Sequence, residues 1–334
     1  MTTSATATTV ETNANPTTNE IPSLSVERRR CWGDAGAPRG VREIARSDAM
    51  TEKRRLNWST LRLIATSPKL LAWRVEHPQP ESPALRLGRA IHCAILEPEE
   101  FPKRWLVADQ CAAKTKAGSR CESSGILYHS GEWYCRVRGH APEGAGALPE
   151  GLEMIQLDEI ELVKICAENV RAHRPAVKIL SGGKSEQEME WTDTETGIEC
   201  RGRVDYLRAN DLIDLKSTRR ETVREFAMDV ARNLYFGQLA WYHDGAIRAG
   251  RLPADAARPY IVAVSTVEPY DTMAFQISSA TLEAGRILYR DLLQRYARCQ
   301  AAGWWPGIAP DLETLDLPDW APGMQGSEDS GGDW

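Results

Sequence analysis

The sequence predicts a mixed α/β domain in which helices flank a central sheet, and three observations predict it. Apolar residues recur first at helical spacing, then in alternating runs, then at helical spacing again, with a strand pair before the last long helix. That order fits one layered domain. Hydrophobic residues make up 42% of the 334, enough for a sizeable core. The run Gly202–Thr218 sets two alternating stretches about a turn at Ala209-Asn210-Asp211, the pattern of a β-hairpin.

Each element follows from local chemistry. Ser59 is placed to cap a helix through Thr60–Ile64, and Ser67-Pro68 ends it and opens another over Lys69–Val75. Pro78, Pro80 and Pro83 mark a loop. Ala84–Leu96 reads as a helix with Leu87, Ile91 and Ile95 on one stripe, stopped by Pro98. Trp105–Ala108 reads as a short strand, and a long helix is expected from Met154 to about His173, then a shorter one over Ala176–Leu180. Glu186–Thr192, Glu199–Arg208 and Leu212–Lys216 read as strands, Thr222–Ala231 and Tyr235–Ala249 as helices. Tyr260–Val267 and Met273–Ile277 are strand candidates, and Ser278 caps a last helix to about Ala302. Residues 1–50 and 323–334 lack periodicity and are expected to be disordered tails around a domain at 51–322. Residues 109–142, rich in Gly, Cys, Lys and Arg, interrupt it as an inserted module.

A formal net charge of −6 excludes a protein that coats nucleic acid by bulk charge. No apolar run is long enough to span a membrane, and residues 1–25 lack the hydrophobic stretch of a secretory signal, so a cytoplasmic protein is expected. Eight cysteines in such a chain point away from a disulfide framework. Ser181-Gly182-Gly183-Lys184-Ser185 resembles the end of a phosphate-binding loop, but Lys178 stands where its first glycine is required.

Three groups of residues carry chemistry. Asp205 and Asp214, nine apart, end successive alternating runs, and Lys216 shares a face with Asp214. Glu186, Glu188 and Glu190 share a face of the preceding strand. Converging carboxylates repel unless a cation neutralises them, which points to Mg²⁺ or Mn²⁺; a surface hairpin with ordinary ion pairs is the other reading. Arg201, Arg203, Arg208, Arg219, Arg220 and Arg224 surround the hairpin, and Arg203, Arg219 and Arg220 are the candidates for contact with DNA phosphates. His92, alone on its helix, reads by itself as structural more readily than as a ligand. In the insertion, Cys111, Cys121, Cys135 and His140 form a four-ligand set suited to structural Zn²⁺, with His129 competing for the fourth place.

These segments together resemble the PD-(D/E)xK nuclease superfamily, and within it the phage and prophage exonuclease VIII (RecE)-like group. The resemblance rests on S-T-L-R-L-I-A-T-S-P-K at 59–69, L-G-R-A-I-H-C-A-I-L-E-P-E-E-F at 87–101 and E-Q-E-M-E-W-T-D-T-E-T-G at 186–197. G-R-V-D-Y-L at 202–207, L-I-D-L-K-S-T at 212–218 and Q-L-A-W-Y at 238–242 complete it. It covers about residues 56–320 apart from the insertion, and implies a restriction-endonuclease-like core. It implies that His92, Asp205, Asp214 and the Leu215 carbonyl hold the catalytic Mg²⁺ (or Mn²⁺) and that Lys216 orients the attacking water. Glu186, with Glu188 as its rival, matches an acidic position of the group, and Gln238 and Tyr242 match its Q-x-x-x-Y helix motif. The Asp-Leu-Lys is preceded by Ile213 in place of the family's "PD" pattern.

The activity so implied is metal-dependent resection of linear duplex DNA, 5′→3′, for phage-type recombination and single-strand annealing. The partners implied are double-stranded DNA ends, a single-strand annealing protein and further copies of the chain in a ring, with no membrane. Two alternatives stand beside it: a Cas4-like or restriction-type endonuclease, and an inactive zinc-module factor that binds DNA or protein.

Overall fold

The computed structural model describes residues 55–317, apart from 147 and 256. The expected tails at 1–50 and 323–334, and the domain's edges at 51–54 and 318–322, lie outside the described residues.

The chain opens with α1 (Trp58–Leu61), a 3-10 turn (Arg62–Ala65), α2 (Pro68–Glu76) and α3 (Pro83–Leu96). The short α4 (Phe101–Arg104) leads to β1 (Trp105–Ala108), and a hairpin of β2 (Leu127–His129) and β3 (Glu132–Tyr134) follows. Then come β4 (Glu153–Gln156), α5 (Leu157–Ala172), α6 (Arg174–Ile179), β5 (Lys184–Thr192), β6 (Glu199–Arg208) and β7 (Asp211–Thr218). The last elements are α7 (Val223–Arg232), α8 (Tyr235–Arg248), β8 (Arg258–Ser265), β9 (Thr272–Gln276) and α9 (Ser279–Ala302).

Caps set most boundaries. The hydroxyls of Ser67, Ser82, Thr222 and Ser278 accept from the third residue on, satisfying an amide the helix leaves unpaired. Two expectations need correction. Asn57, not Ser59, caps the first helix: its side chain accepts from Thr60 N at 2.9 Å, and Trp58 is drawn into the core. Met154–Gln156 belong to a strand, because Glu153–Gln156 pair in parallel with Trp105–Ala108; the helix starts at Leu157 behind a Gln156–Glu159 capping box.

The main sheet has five strands in the order β5-β6-β7-β8-β9. All neighbours are antiparallel except β7 and β8, which α7 and α8 connect in parallel. Both faces are covered. On one, Trp58, Leu61, Leu71, Leu239, Trp241, Tyr289 and Leu293 pack over Leu212 and Ile261. On the other, Ile91, Ala94, Ile155, Val163 and Ala167 pack over Ile213, Leu215 and Val262. Burial on both faces explains why the centre of the sheet reads as apolar runs. Trp241 and Tyr289, each 1% exposed, meet edge to face with ring centroids 5.8 Å apart. Burying such a ring contributes about 2–3 kcal/mol.

One feature of register shapes the site. β5 and β6 stay in register from Lys184↔Leu207 to Thr192↔Glu199, and β7 and β8 from Asp211↔Arg258 to Thr218↔Ser265. Between β6 and β7 only Tyr206↔Ile213, Leu207↔Leu212 and Arg208↔Asp211 pair. Beyond them the strands part. Leu56 takes up the freed edge of β6, donating to Glu199 O and accepting from Arg201 N, both at 2.8 Å.

Candidate active site

The parting falls at Asp205 and Asp214. Leu215 N, past the end of the ladder, donates to Asp205 Oδ2 at 2.7 Å. A carboxylate thus stands in for a neighbouring strand, which fixes its direction. Asp214, 2% exposed, lies with Oδ2 2.6 Å from Lys216 Nζ. The Lys216 ammonium is the partner of that buried oxygen.

α3 brings His92 over the strands. Its buried neighbours Ile91, Cys93 and Ala94 face the core, while His92 faces the gap with Nδ1 3.8 Å from Asp205 Oδ2. β5 brings Glu186, whose φ of +50° is unusual for a residue with a side chain. His92, Glu186 and Asp205 each offer a ligand atom, all within 4.8 Å of one another. Glu188 and Glu190 lie outside this group; Glu188 is exposed, and Glu190 is engaged by Arg55 at 3.1 Å. Compared with the expected set, the structure draws Glu186 in and turns Asp214 toward Lys216.

The electrostatics follow from burial. Burial, then the nearby Lys216 ammonium, pushes His92 down to about 4, so it is a neutral donor at neutral pH. Burial pushes the Asp214 carboxyl up to about 6 and raises Asp205 and Glu186 above the usual carboxylate range. For Lys216, burial opposes the charge but Asp214 and Asp205 outweigh it, and the ammonium is held above its ordinary value. Carboxylate oxygens of Glu186 and Asp205 beside a neutral imidazole suit Mg²⁺ or Mn²⁺.

A cleft of about 1060 Å³ opens at His92 and Lys216, lined also by Arg219, Arg220, Gln238 and Tyr242 among others. Gln238 Nε2 donates to the Tyr242 hydroxyl at 3.4 Å. The Tyr242 ring lies where a Cβ on Gly202 would be, 2.9 Å from its nearest atom, so β6 needs glycine there. Arg220 is committed to Asp229, at 2.8 and 3.1 Å, while Arg219 lines the cleft. Arg203 is turned to Glu186, Nε to Oε2 2.8 Å. Sequence reasoning missed Tyr235, whose ring centroid lies 5.0 Å from Lys216 Nζ in a cation–π contact. Tyr235, Gln238 and Tyr242 are spaced i, i+3, i+7, a one-face pattern that could have revealed it.

The insertion leaves the domain between β1 and β4. Cys111, Cys121, Cys135 and His140 offer ligand atoms within 4.8 Å of one another. Cys121 Sγ is 3.9 Å from Cys135 Sγ, and His140 Nδ1 is 3.2 Å from Cys135 Sγ. His129 lies outside the cluster, near Gly144. The three cysteines are buried, and among the described residues the partly buried apolar side chains packed against them are Ala113 and Tyr134. Hydrogen bonds from Ser123 draw the Cys121 thiol down to about 6, toward the thiolate a metal binds.

Residues 59–318 match the family described as a PDDEXK-like domain of unknown function (DUF3799), and the chain belongs to that family. It is similar to the crystal structure of a "Putative exonuclease" from Eubacterium rectale, with a TM-score of 0.49 and 11% identity over 76% of this chain and 84% of that one. It is also similar to the crystal structure of SSO0001, with a TM-score of 0.23 and 15% identity over 41% of this chain and 68% of that one. No curated protein matches its sequence. Among the described residues no helix is long and apolar enough to cross a membrane.

Proposed function

We propose that this chain is a divalent-metal-dependent deoxyribonuclease. The observation that carries the reading is the meeting of His92, Glu186 and Asp205 beside the Asp214–Lys216 pair, where His92 and Lys216 open onto one cleft. Those residues come from α3, β5, β6 and β7, and a shared task explains why acids that repel are buried together. His92, Glu186 and Asp205, with Asp214 Oδ2 and the Leu215 carbonyl at hand, would hold Mg²⁺ or Mn²⁺, which supplies positive charge to a phosphate under in-line attack. Lys216, charged and held by Asp214, orients the attacking water. Tyr235 backs its ammonium, and Gln238 and Tyr242 bear on the DNA strand in the cleft.

The finer reading is an exonuclease resecting linear double-stranded DNA 5′→3′, for phage-type recombination in the cytoplasm of a bacterial host. It rests on the RecE-like order of motifs. So do the ring of like subunits and the single-strand annealing partner. Digestion of duplex DNA labelled at either end, one end blocked, with Mg²⁺ tests it. Loss of nucleotides from the free 5′ end is expected, and closed circular DNA should stay intact. Cutting of closed circles would favour the restriction-type alternative, and binding without cutting the inactive factor. A Cas4-like cluster would need further grouped cysteines. Cys166 and Cys200 are buried in different cores, with thiols pushed by burial up to about 11 and about 12.

Residues 109–142 are proposed to be a module folded around structural Zn²⁺ held by Cys111, Cys121, Cys135 and His140, remote in role from cleavage. Metal analysis of the purified protein should find one zinc per chain, and Cys121→Ser should lose it.

A further inference from the structure

One cation at the site has no part in that mechanism. Arg203 stands on β6 two residues before Asp205 and pairs with Glu186, Nε to Oε2 2.8 Å. Its side chain is 59% exposed, whereas that of Glu186 is 23% exposed and lies in the ligand group with His92 and Asp205. Arg104 and Glu97 also bear on Glu186, but Arg104 is engaged by Glu97 at 2.7 Å. Arg203 is therefore the cation that occupies the carboxylate a metal would need.

We propose that Arg203 is a phosphate-binding residue held in reserve: it covers Glu186 until a divalent cation takes that carboxylate, and then turns to the DNA backbone. The second half rests on the nuclease reading; the first does not. Two like charges cannot share one carboxylate without cost, so cation and guanidinium compete for Glu186. Once displaced, an exposed guanidinium at the rim of the gap has the fork that binds phosphate oxygens in pairs. Metal loading and DNA binding are then coupled through one side chain, and each strengthens the other.

The test measures binding, not cleavage. Mn²⁺ affinity is read without DNA from the free-ion electron paramagnetic resonance signal, and duplex affinity from the fluorescence anisotropy of an end-labelled oligonucleotide in Ca²⁺. Arg203→Gln should bind Mn²⁺ about two- to fivefold more tightly than wild type, the range an exposed ion pair allows, with Arg203→Lys between them. The same variant should bind duplex about tenfold more weakly in Ca²⁺, with a shallower salt dependence. Glu186→Gln should bind duplex more tightly than wild type in the absence of divalent cation, and the gain should vanish when Arg203→Gln is added. An Arg203→Gln protein that binds Mn²⁺ no more tightly than wild type overturns the proposal. So does a Glu186→Gln gain that survives in the double variant, because the gain would then be charge alone. If no variant binds duplex, the nuclease reading fails and the phosphate role with it, while the Mn²⁺ titration still decides whether Arg203 guards the pocket.

Discussion

Lys216 and Asp214 show how two side chains can define each other. Asp214 Oδ2 holds the Lys216 ammonium at 2.6 Å, and Lys216 keeps its charge because Asp214 and Asp205 outweigh its burial. Lys216→Ala is expected to lower cleavage about a hundredfold or more while leaving Mn²⁺ binding measurable, since electrostatic partners of a transition state contribute about that much. Asp205→Ala should instead lose both, and calorimetric Mn²⁺ titration separates the two outcomes. At this scale the sequence was informative about polar residues. Asp205, Asp214 and Lys216 were readable because strand alternation and a short turn fix where they point. His92 was not readable alone, for one histidine on a helix carries no spacing; only the neighbouring motif gave it weight. That Glu186 rather than Glu188 lies with His92 and Asp205 came from the structure, because in sequence the two glutamates share one strand face.

Among the elements, α8 links the site to the core. Its Gln238–Tyr242 face lines the cleft while Trp241 and Ala240 are buried on the sheet, and Trp241 Nε1 donates to Arg201 O at 3.3 Å. α9 packs close to it where Gly285 meets Phe236 O, 2.3 Å from a would-be Cβ. Gly285→Ala should therefore destabilise the fold by about 1–3 kcal/mol, measurable by urea unfolding, although alanine is the better helix former. Gly202→Val should press on the Tyr242 ring and Met189, lowering both cleavage and melting temperature. Most elements were legible because caps and prolines mark their ends. Strand β4 was not: four residues before a long amphipathic helix continue its pattern, and they become a strand only because β1, far away in sequence, pairs with them. In the insertion, Cys121→Ser or a strong chelator should unfold the hairpin of β2 and β3 and leave the five-stranded sheet intact, as loss of structure at residues 109–152 alone would show by limited proteolysis.

Over the whole molecule, stability at low pH is tied to a network between α8 and α9. Asp244, buried between α8 and α9, accepts from Arg286 at 3.0–3.1 Å and from the Tyr289 hydroxyl at 2.8 Å. Burial opposes its charge, but His243, Arg286 and Tyr289 outweigh it, and its carboxyl is held well below the usual range. The folded state thus keeps the charge where the unfolded chain would take up a proton. Its contribution is full above about pH 4 and is lost as pH falls toward the lowered value. Asp244→Ala should cost about 3–5 kcal/mol at neutral pH and flatten this acid limb, seen as melting temperature against pH. The layered architecture was legible as an order of periodicities, whereas the parallel pairing of β7 with β8 and the parting of β6 from β7 depend on contacts distant in sequence. That parting has a consequence for motion. Glu186 and Asp205 ride on the β5–β6 half of the sheet, Asp214 and Lys216 on the β7–β9 half, and only three residue pairs stitch the halves together. An ion bridging them would act as a rivet across a seam. Deuterium uptake at Leu215 and its neighbours should slow when Mn²⁺ is added, making one amide proton a gauge of whether the two halves are locked.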